Sequence, residues 1–161
     1  RQFEQFGIEA IGSEYPEQDA EVISMAYFFY KHMGIDNLTL KINSIGSKES
    51  REEYKEALIE YFNPFINKLS ATSKTRLADN PLRILDTKID FEKDIIKDAP
   101  IILDFLSSDD KNHFNQNLFF LMKYDRITEK INLINNPRYF QLHSSLYQSQ
   151  LFLLMKLPCL T

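Results

Sequence analysis

The stretch Leu38-Thr39-Leu40-Lys41-Ile42-Asn43-Ser44-Ile45-Gly46-Ser47 changes its hydrophobic period towards its end. Apolar and polar residues alternate over residues 38–43, which predicts a β-strand with one packed face. After Ser47, apolar residues recur at intervals of three and four as far as residue 69, which predicts a long helix. The chain therefore passes from a sheet into a helical segment close to Gly46, and this passage determines the fold class.

Further elements are predicted on both sides of this switch. Residues 1–12 alternate with period two and predict an earlier strand. Residues 19–33 predict a helix with Asp19 as its N-cap and Gly34 just beyond its end. Shorter helices are predicted over residues 73–78, 91–97 and 100–106, and another begins at Ser108. This order is typical of an α+β protein whose sheet is interrupted by a helical module near residue 46.

The composition excludes several classes of protein. The 161 residues suit one ordinary domain or a piece of a larger protein, and the formal net charge of −4 argues against a polybasic nucleic-acid arm. The single cysteine, Cys159, excludes a disulfide framework and a cysteine-based zinc site. The three histidines lie too far apart in sequence to suggest metal ligands, and the apolar runs are too short to span a bilayer. We therefore expect a cytoplasmic protein with no metal site and no membrane segment.

The distribution of charge divides the chain into two unequal parts. Residues 1–113 hold 21 acidic and 14 basic residues, whereas residues 114–161 hold two acidic and five basic residues. No carboxylate side chain follows Glu129, and no glycine follows Gly46. We expect residues 123–161 to be a divergent tail, and we hypothesise that a frameshift in the gene produced it. A genuine divergent segment is the alternative.

One face of the first predicted strand carries three different chemical groups. Phe3, Gln5 and Glu9 project on the same side because side-chain direction repeats every second residue. An aromatic ring, an amide and a carboxylate together suit a small ligand with a planar base at one end and a polar cation at the other. The solvated face of an edge strand is the alternative interpretation.

Several blocks of the sequence resemble the histidyl-tRNA synthetases, which are class II aminoacyl-tRNA synthetases. Residues 1–12 (Arg1-Gln2-Phe3-Glu4-Gln5-Phe6-Gly7-Ile8-Glu9-Ala10-Ile11-Gly12) resemble the C-terminal strand of their motif 2. The resemblance continues in order through Asp19-Ala20-Glu21-Val22-Ile23, Leu40-Lys41-Ile42-Asn43-Ser44-Ile45-Gly46 and Arg76-Leu77-Ala78-Asp79-Asn80-Pro81. It covers roughly residues 1–114.

The resemblance implies part of an antiparallel class II catalytic sheet, followed by a mainly helical insertion domain. Residues 1–46 are expected to form the end of motif 2 with an adjoining helix and strand of the catalytic core. Residues 47–122 are expected to form the insertion domain, and the divergent tail follows from residue 123.

The same resemblance implies a function and assigns three residues to it. Such an enzyme activates L-histidine with ATP, with Mg²⁺ expected, and transfers it to tRNA(His) as a homodimer whose insertion domain approaches the acceptor arm. Phe3 resembles the ring that stacks on adenine, while Gln5 and Glu9 resemble the side chains that bind histidine. Some basic residues of the insertion could face tRNA phosphates or form ordinary surface: Lys68, Lys74, Arg76, Arg83 and Lys88.

The sequence also departs from this family. Motif 1, the first strand of motif 2, motif 3 and the anticodon-binding domain are not found, and residues 134–140 stand where an Arg-Gly-Leu-Asp-Tyr-Tyr block is expected. We therefore expect no catalytic residue in this chain and no activity from it alone. One alternative is the non-catalytic regulatory subunit of ATP phosphoribosyltransferase, which senses histidine. Another is a free-standing helical binding module.

Overall fold

The computed structural model of the chain describes residues 2, 7–35, 38–123, 131–133 and 151–156. Within these residues lie five α-helices and three β-strands. They are α1 (Pro16–His32), β1 (Thr39–Ser44), α2 (Lys48–Phe62), α3 (Ala71–Asp79), α4 (Asp90–Ile96), α5 (Ser108–Lys123), β2 (Ile131–Leu133) and β3 (Leu151–Lys156). Three 3-10 turns cover Asn63–Lys68, Pro81–Ile84 and Ile102–Phe105.

The predicted first strand is wrong for the half that the structure describes. Residues 7–12 have irregular backbone, and the described sheet contains no strand beside them. A strand needs a neighbour to satisfy its backbone N–H and C=O groups, so alternation in sequence alone does not create one. Residues 1 and 3–6 of the prediction lie outside the described residues.

Helix α1 begins earlier than predicted. Its first residue is Pro16, and its N-cap is Tyr15, which makes no side-chain capping bond, so the assignment of Asp19 as N-cap is wrong. Proline suits the first helical position because its φ is already helical and it has no N–H to leave unpaired. The end of the helix is as predicted: Gly34 has φ +82°, a left-handed conformation that glycine adopts without steric cost.

The described sheet is mixed, and not antiparallel as expected. Strand β1 lies in the centre, antiparallel to β3 and parallel to β2. Between β1 and β2 the chain makes a long excursion through α2 to α5, and a long crossover of this kind permits parallel pairing. Both outer strands come from the expected divergent tail, and Leu40 and Ile42 of β1 are fully buried.

The buried residues form two separate clusters. We call α1, β1 and α5 the core unit, and its cluster consists of Ala20, Ile23, Tyr27, Leu38, Leu40, Ile42, Phe114 and Leu121. We call residues 48–106 the helical module. Its cluster consists of Tyr54, Leu58, Phe62, Leu69, Leu77, Leu82, Ile84, Leu85, Ile96, Ala99, Ile102 and Leu106. Helix α5 packs on α1 and so belongs to the core unit, although the predicted boundary of 47–122 placed it in the insertion; that boundary remains a prediction.

The elements of the helical module follow local signals in the sequence. Helix α2 stops at Phe62, not at residue 69 as predicted, and a 3-10 turn follows. Pro64 explains this early end, because proline has no N–H to donate to the carbonyl four residues earlier, so the α-helical hydrogen-bond pattern stops there. Helix α3 begins after Ser70, whose hydroxyl accepts from the Ser73 N–H, and ends at the predicted Asn80-Pro81 break.

A buried carboxylate holds the interior of the module together. Glu92 is fully buried and accepts hydrogen bonds from the Ser70 N–H at 2.7 Å, the Ser73 hydroxyl at 2.9 Å and the Thr87 hydroxyl at 2.5 Å. Burial alone would raise the pKa of Glu92, but the hydrogen bonds from Thr87, Ser70 and Ser73 together outweigh burial and lower it. The ionised side chain of Glu92, in α4, therefore links the start of α3 to the segment that precedes α4.

A second buried carboxylate lies where the module meets the core unit. Asp110, in the first turn of α5, accepts from the Ser47 N–H at 3.1 Å and from the Ser50 hydroxyl at 2.8 Å. The Ser107 N–H donates to the Ser50 hydroxyl oxygen at 3.1 Å and, more weakly, to Asp110 at 3.4 Å. Burial alone would raise the pKa of Asp110, but the bonds from Ser47, Ser50 and Ser107 outweigh it and hold that pKa at about 2.

We predict that Glu92→Gln destabilises the chain in a pH-dependent manner. At pH 7 the variant should lose about 1–2 kcal/mol in the free energy of unfolding, since hydrogen bonds to a charged group contribute about 1.5–3 kcal/mol and glutamine retains some of them. The pKa of Glu92 is lower in the folded than in the unfolded chain, whose ordinary value is 4.5. The stabilisation is therefore complete above that value and is lost as the pH falls through the folded pKa.

Urea denaturation across pH 3–7 measures this difference. Glu53→Gln on the exposed surface of α2 makes the same chemical change and should alter the unfolding free energy little. A difference between wild type and Glu92→Gln that stays constant down to pH 3 would contradict the charged role of Glu92.

Candidate functional site

The structure describes only one of the three residues assigned to small-molecule binding. Glu9 is exposed, on the irregular segment that leads to α1, whereas Phe3 and Gln5 lie outside the described residues. An exposed carboxylate can accept a hydrogen bond from an imidazole N–H or pair with an ammonium group. The assignments of Phe3, Gln5 and Glu9 therefore remain predictions.

Polar contacts fix the beginning of α1 against α5. The Nε2 of His113 lies 2.8 Å from Oδ2 of Asp19, and the Asn117 side-chain amide donates to the Pro16 carbonyl at 3.1 Å. Asn117 is fully buried, and its Oδ1 has no hydrogen-bond partner within the described part of the chain. These contacts hold in place the end of the segment that carries Glu9. Sequence reasoning missed them, because 94 residues separate Asp19 from His113 and no local spacing connects them.

A shallow groove of about 490 Å³ runs beside α1 and α5. Met25, Phe28 and Phe120 give it an apolar floor, and the carboxylates of Glu17 and Glu21 stand at its edge. Two carboxylates repel phosphate groups, so this groove does not suit ATP. We therefore do not assign it to the nucleotide.

Five of the ten basic residues of the module lie in or next to α3 and the turn Pro81–Ile84 in the sequence, two elements that pack together. Between residues 68 and 88 there are five basic residues and two acidic ones, Asp79 and Asp86. Four of the basic side chains are exposed: Lys68, Lys74, Arg83 and Lys88. The fifth, Arg76, is half-buried, and its Nη1 donates to the Arg83 carbonyl at 3.0 Å. We call these five residues the basic surface.

The described residues contain neither a candidate metal site nor a membrane-spanning helix. These residues include no group of three or more histidine, cysteine, aspartate or glutamate side chains that could hold a metal ion. None of the helices described is long and apolar enough to cross a membrane.

Comparison with known proteins gives several close matches. The histidine–tRNA ligase of Macrococcus caseolyticus is 47% identical over 137 residues, which is 85% of this chain and 30% of the relative. The ligase of Protochlamydia amoebophila is 49% identical over 132 residues, and that of Staphylococcus haemolyticus is 52% identical over 116 residues. These matches cover 82% and 72% of this chain, and 31% and 27% of the respective relatives. No family model matches the chain.

A solved structure agrees with these relatives. The crystal structure of apo S. aureus histidyl-tRNA synthetase matches with a TM-score of 0.57 and 35% identity, over 80% of this chain and 28% of that one. In fold and sequence, the matched part of the chain is thus similar to part of an aminoacyl-tRNA synthetase. Within that class, it is similar to the histidine–tRNA ligases, which confirms the resemblance noted in the sequence.

The extent of the matches bears on two expectations. The chain spans about 30% of the length of these curated relatives. The 137-residue match is longer than residues 1–114, so similarity to a ligase continues past the point where we expected it to end. The relatives named here are all ligases, which leaves the regulatory-subunit alternative without support.

Proposed function

We propose that this chain is part of a histidine–tRNA ligase. The whole enzyme activates L-histidine with ATP to form histidyl-adenylate and transfers the histidine to tRNA(His), as a homodimer in the cytoplasm. The observation that carries this proposal is the identity of 47–52% to histidine–tRNA ligases over 116–137 residues. The S. aureus match at a TM-score of 0.57 supports it independently through the fold.

Histidine and ATP bind at the segment before α1. Phe3 stacks on the adenine ring, Gln5 contacts the amino-acid end of histidine, and Glu9 accepts a hydrogen bond from the imidazole. A polar site built for the ring nitrogens rejects analogues that lack them, because its own polar groups would then be left unpaired.

Phe3, Gln5 and Glu9 provide neither a set of Mg²⁺ ligands nor a cation for the ATP phosphates. Mg²⁺ accompanies ATP in such enzymes, but the described residues offer no group of three suitable ligands, so we derive no step through the ion. Activation also needs cations to stabilise charge as it develops on the phosphates. None of Phe3, Gln5 and Glu9 is a cation, and we therefore expect no turnover from these residues alone.

In this proposal, tRNA binds to the helical module. Two exposed cations of the basic surface lie on elements that pack together, Lys74 on α3 and Arg83 on the turn Pro81–Ile84. Lysine and arginine side chains bind a phosphate backbone largely by releasing its condensed counterions, without reading sequence. The basic surface therefore contributes affinity for the acceptor arm.

We predict that Glu9→Gln weakens histidine use and leaves ATP use unchanged. The setting is a chimeric staphylococcal ligase in which residues 1–123 of this chain replace their counterpart. The substitution keeps the size of Glu9 but removes its charge, and one charge-assisted hydrogen bond is worth about 1.5–3 kcal/mol. The KM for histidine in ATP–pyrophosphate exchange should rise about ten- to a hundredfold.

Glu14→Gln is the matched control, because Glu14 is exposed on the same segment and the charge change is identical. It should leave both KM values as they were. An unchanged histidine KM in Glu9→Gln, or an equal rise in the KM for ATP, would show that Glu9 is ordinary surface.

We also predict that the basic surface carries the affinity of this chain for tRNA. Lys74→Glu combined with Arg83→Glu should weaken binding at low salt and lower the slope of log Kd against log salt by about 1 to 2. The measurement is a titration of the full chain with tRNA at several salt concentrations.

Lys97→Glu combined with Lys111→Glu provides the control. Both residues are exposed, outside the basic surface, and the change in net charge is the same. If the two double variants lose equal affinity, only the net charge of the chain matters, and the assignment of the basic surface is mistaken.

A further inference from the structure

The chain passes between the core unit and the helical module at two neighbouring points. Residues 45–47 lead from β1 into α2, and residues 106–107 lead from the last 3-10 turn into α5. Each of these connections leads into the N-terminus of a helix, where backbone N–H groups have no intrahelical acceptor. Backbone N–H groups from both connections, those of Ser47 and Ser107, donate to one carboxylate, that of Asp110.

We call Ser47, Ser50, Ser107 and Asp110 the clasp. Ser47 is the N-cap of α2, where its hydroxyl accepts from the Ser50 N–H, and the Ser107 hydroxyl accepts from the Asp110 N–H. Each connection therefore has its own capping hydroxyl. The Asp110 carboxylate is additional: it belongs to α5 but accepts the N–H of Ser47, from the other connection, and the hydroxyl of Ser50, in the first turn of α2.

Two features make the charge effective at this position. Asp110 is only 5% exposed, so its hydrogen bonds face little competition from water. The N-termini of α2 and α5 both present the positive ends of their helix dipoles to it. A negative charge between two such ends attracts both helices at once.

The packing at Gly46 leaves no room for a side chain beside the clasp. Gly46 has φ +63°, and a Cβ placed on it would lie 2.9 Å from a methyl carbon of Leu106 and 2.9 Å from Cβ of Ser50. Both neighbours belong to the module, one at each of its ends. The two connections are thus in close contact, and only glycine fits between them.

Among the described residues, one apolar residue is common to the packing of both hydrophobic clusters. Leu103 packs against both hydrophobic clusters, but the members of the two clusters are otherwise distinct. The interiors of the core unit and of the module are therefore formed separately, and the polar clasp joins them.

We propose that Asp110 is a positioning residue that fixes the orientation of the helical module relative to the core unit. Its carboxylate ties the entry into the module to the exit from it, so that the module is held at both ends. This role of Asp110 goes beyond the proposed function. Its consequence for tRNA binding rests on the proposed function, because the orientation of the module decides where the basic surface meets the nucleic acid.

The experiment measures the distance between the two units in the full chain. Spin labels on cysteines introduced at exposed positions of each unit, Glu21→Cys in α1 and Lys88→Cys in the module, report this distance by pulsed electron resonance, with Cys159→Ser removing the native thiol. With Asp110 intact we expect one narrow distance distribution. Asp110→Asn should abolish the narrow peak and give a broad distribution, because the amide carries no charge for the two helix ends.

Asp109→Asn is the matched control, since Asp109 is the exposed neighbour in the same turn of α5. It should keep the narrow peak. Hydrogen exchange at Leu77 and Leu85, inside the module, shows whether Asp110→Asn leaves that interior folded. A narrow peak retained in Asp110→Asn would overturn the proposal.

A second variant covers the case in which Asp110→Asn does not fold. Ser50→Ala removes one donor to the carboxylate and keeps its charge, so we expect a partly broadened distribution. An unchanged distribution for Ser50→Ala would overturn the proposal in that case. None of these measurements needs tRNA, so their failure is distinguishable from the failure of the proposed function.

Discussion

The buried charge of Asp110 is the constraint on which the architecture depends. One carboxylate satisfies groups from both connections, so the chain leaves the core unit and returns to it at a single place. This return lets α5 lie against α1, with His113 beside Asp19 and Asn117 against Pro16. We infer that, without this fixed return, the long excursion of residues 48–106 would not bring α5 back against α1.

Burial of a charge is costly unless hydrogen bonds compensate it, and the chain makes that compensation twice. Asp110 does so at the edge of the module and Glu92 in its interior, in each case with serine hydroxyls and backbone N–H groups as donors. Both sites lie at helix N-termini, where such donors are already available. The module is therefore organised by two anionic points around an apolar cluster of short helices.

Local signals predicted much of this structure, and contacts between distant residues account for what was missed. The change of period at Ser47, the glycine after α1 and the Asn80-Pro81 break each depend on neighbouring residues, and the structure contains all three. The strand predicted over residues 1–12 is wrong over residues 7–12, because a strand requires a partner, which no local pattern reveals. Asp110 with Ser50 and Asp19 with His113 join residues 60 and 94 positions apart. For the candidate site, resemblance supplied roles for Phe3, Gln5 and Glu9 that spacing alone left open.

In the function we propose, histidine and ATP bind at the segment before α1 and tRNA binds to the module. This function requires the chain to supply a working part of a histidine–tRNA ligase. The most direct test is histidylation of tRNA by the staphylococcal ligase after residues 1–123 of this chain replace their counterpart. We predict that the chimera attaches histidine to tRNA(His) and not to other tRNAs. A chimera that folds and melts like its parent but leaves tRNA(His) uncharged would contradict the account.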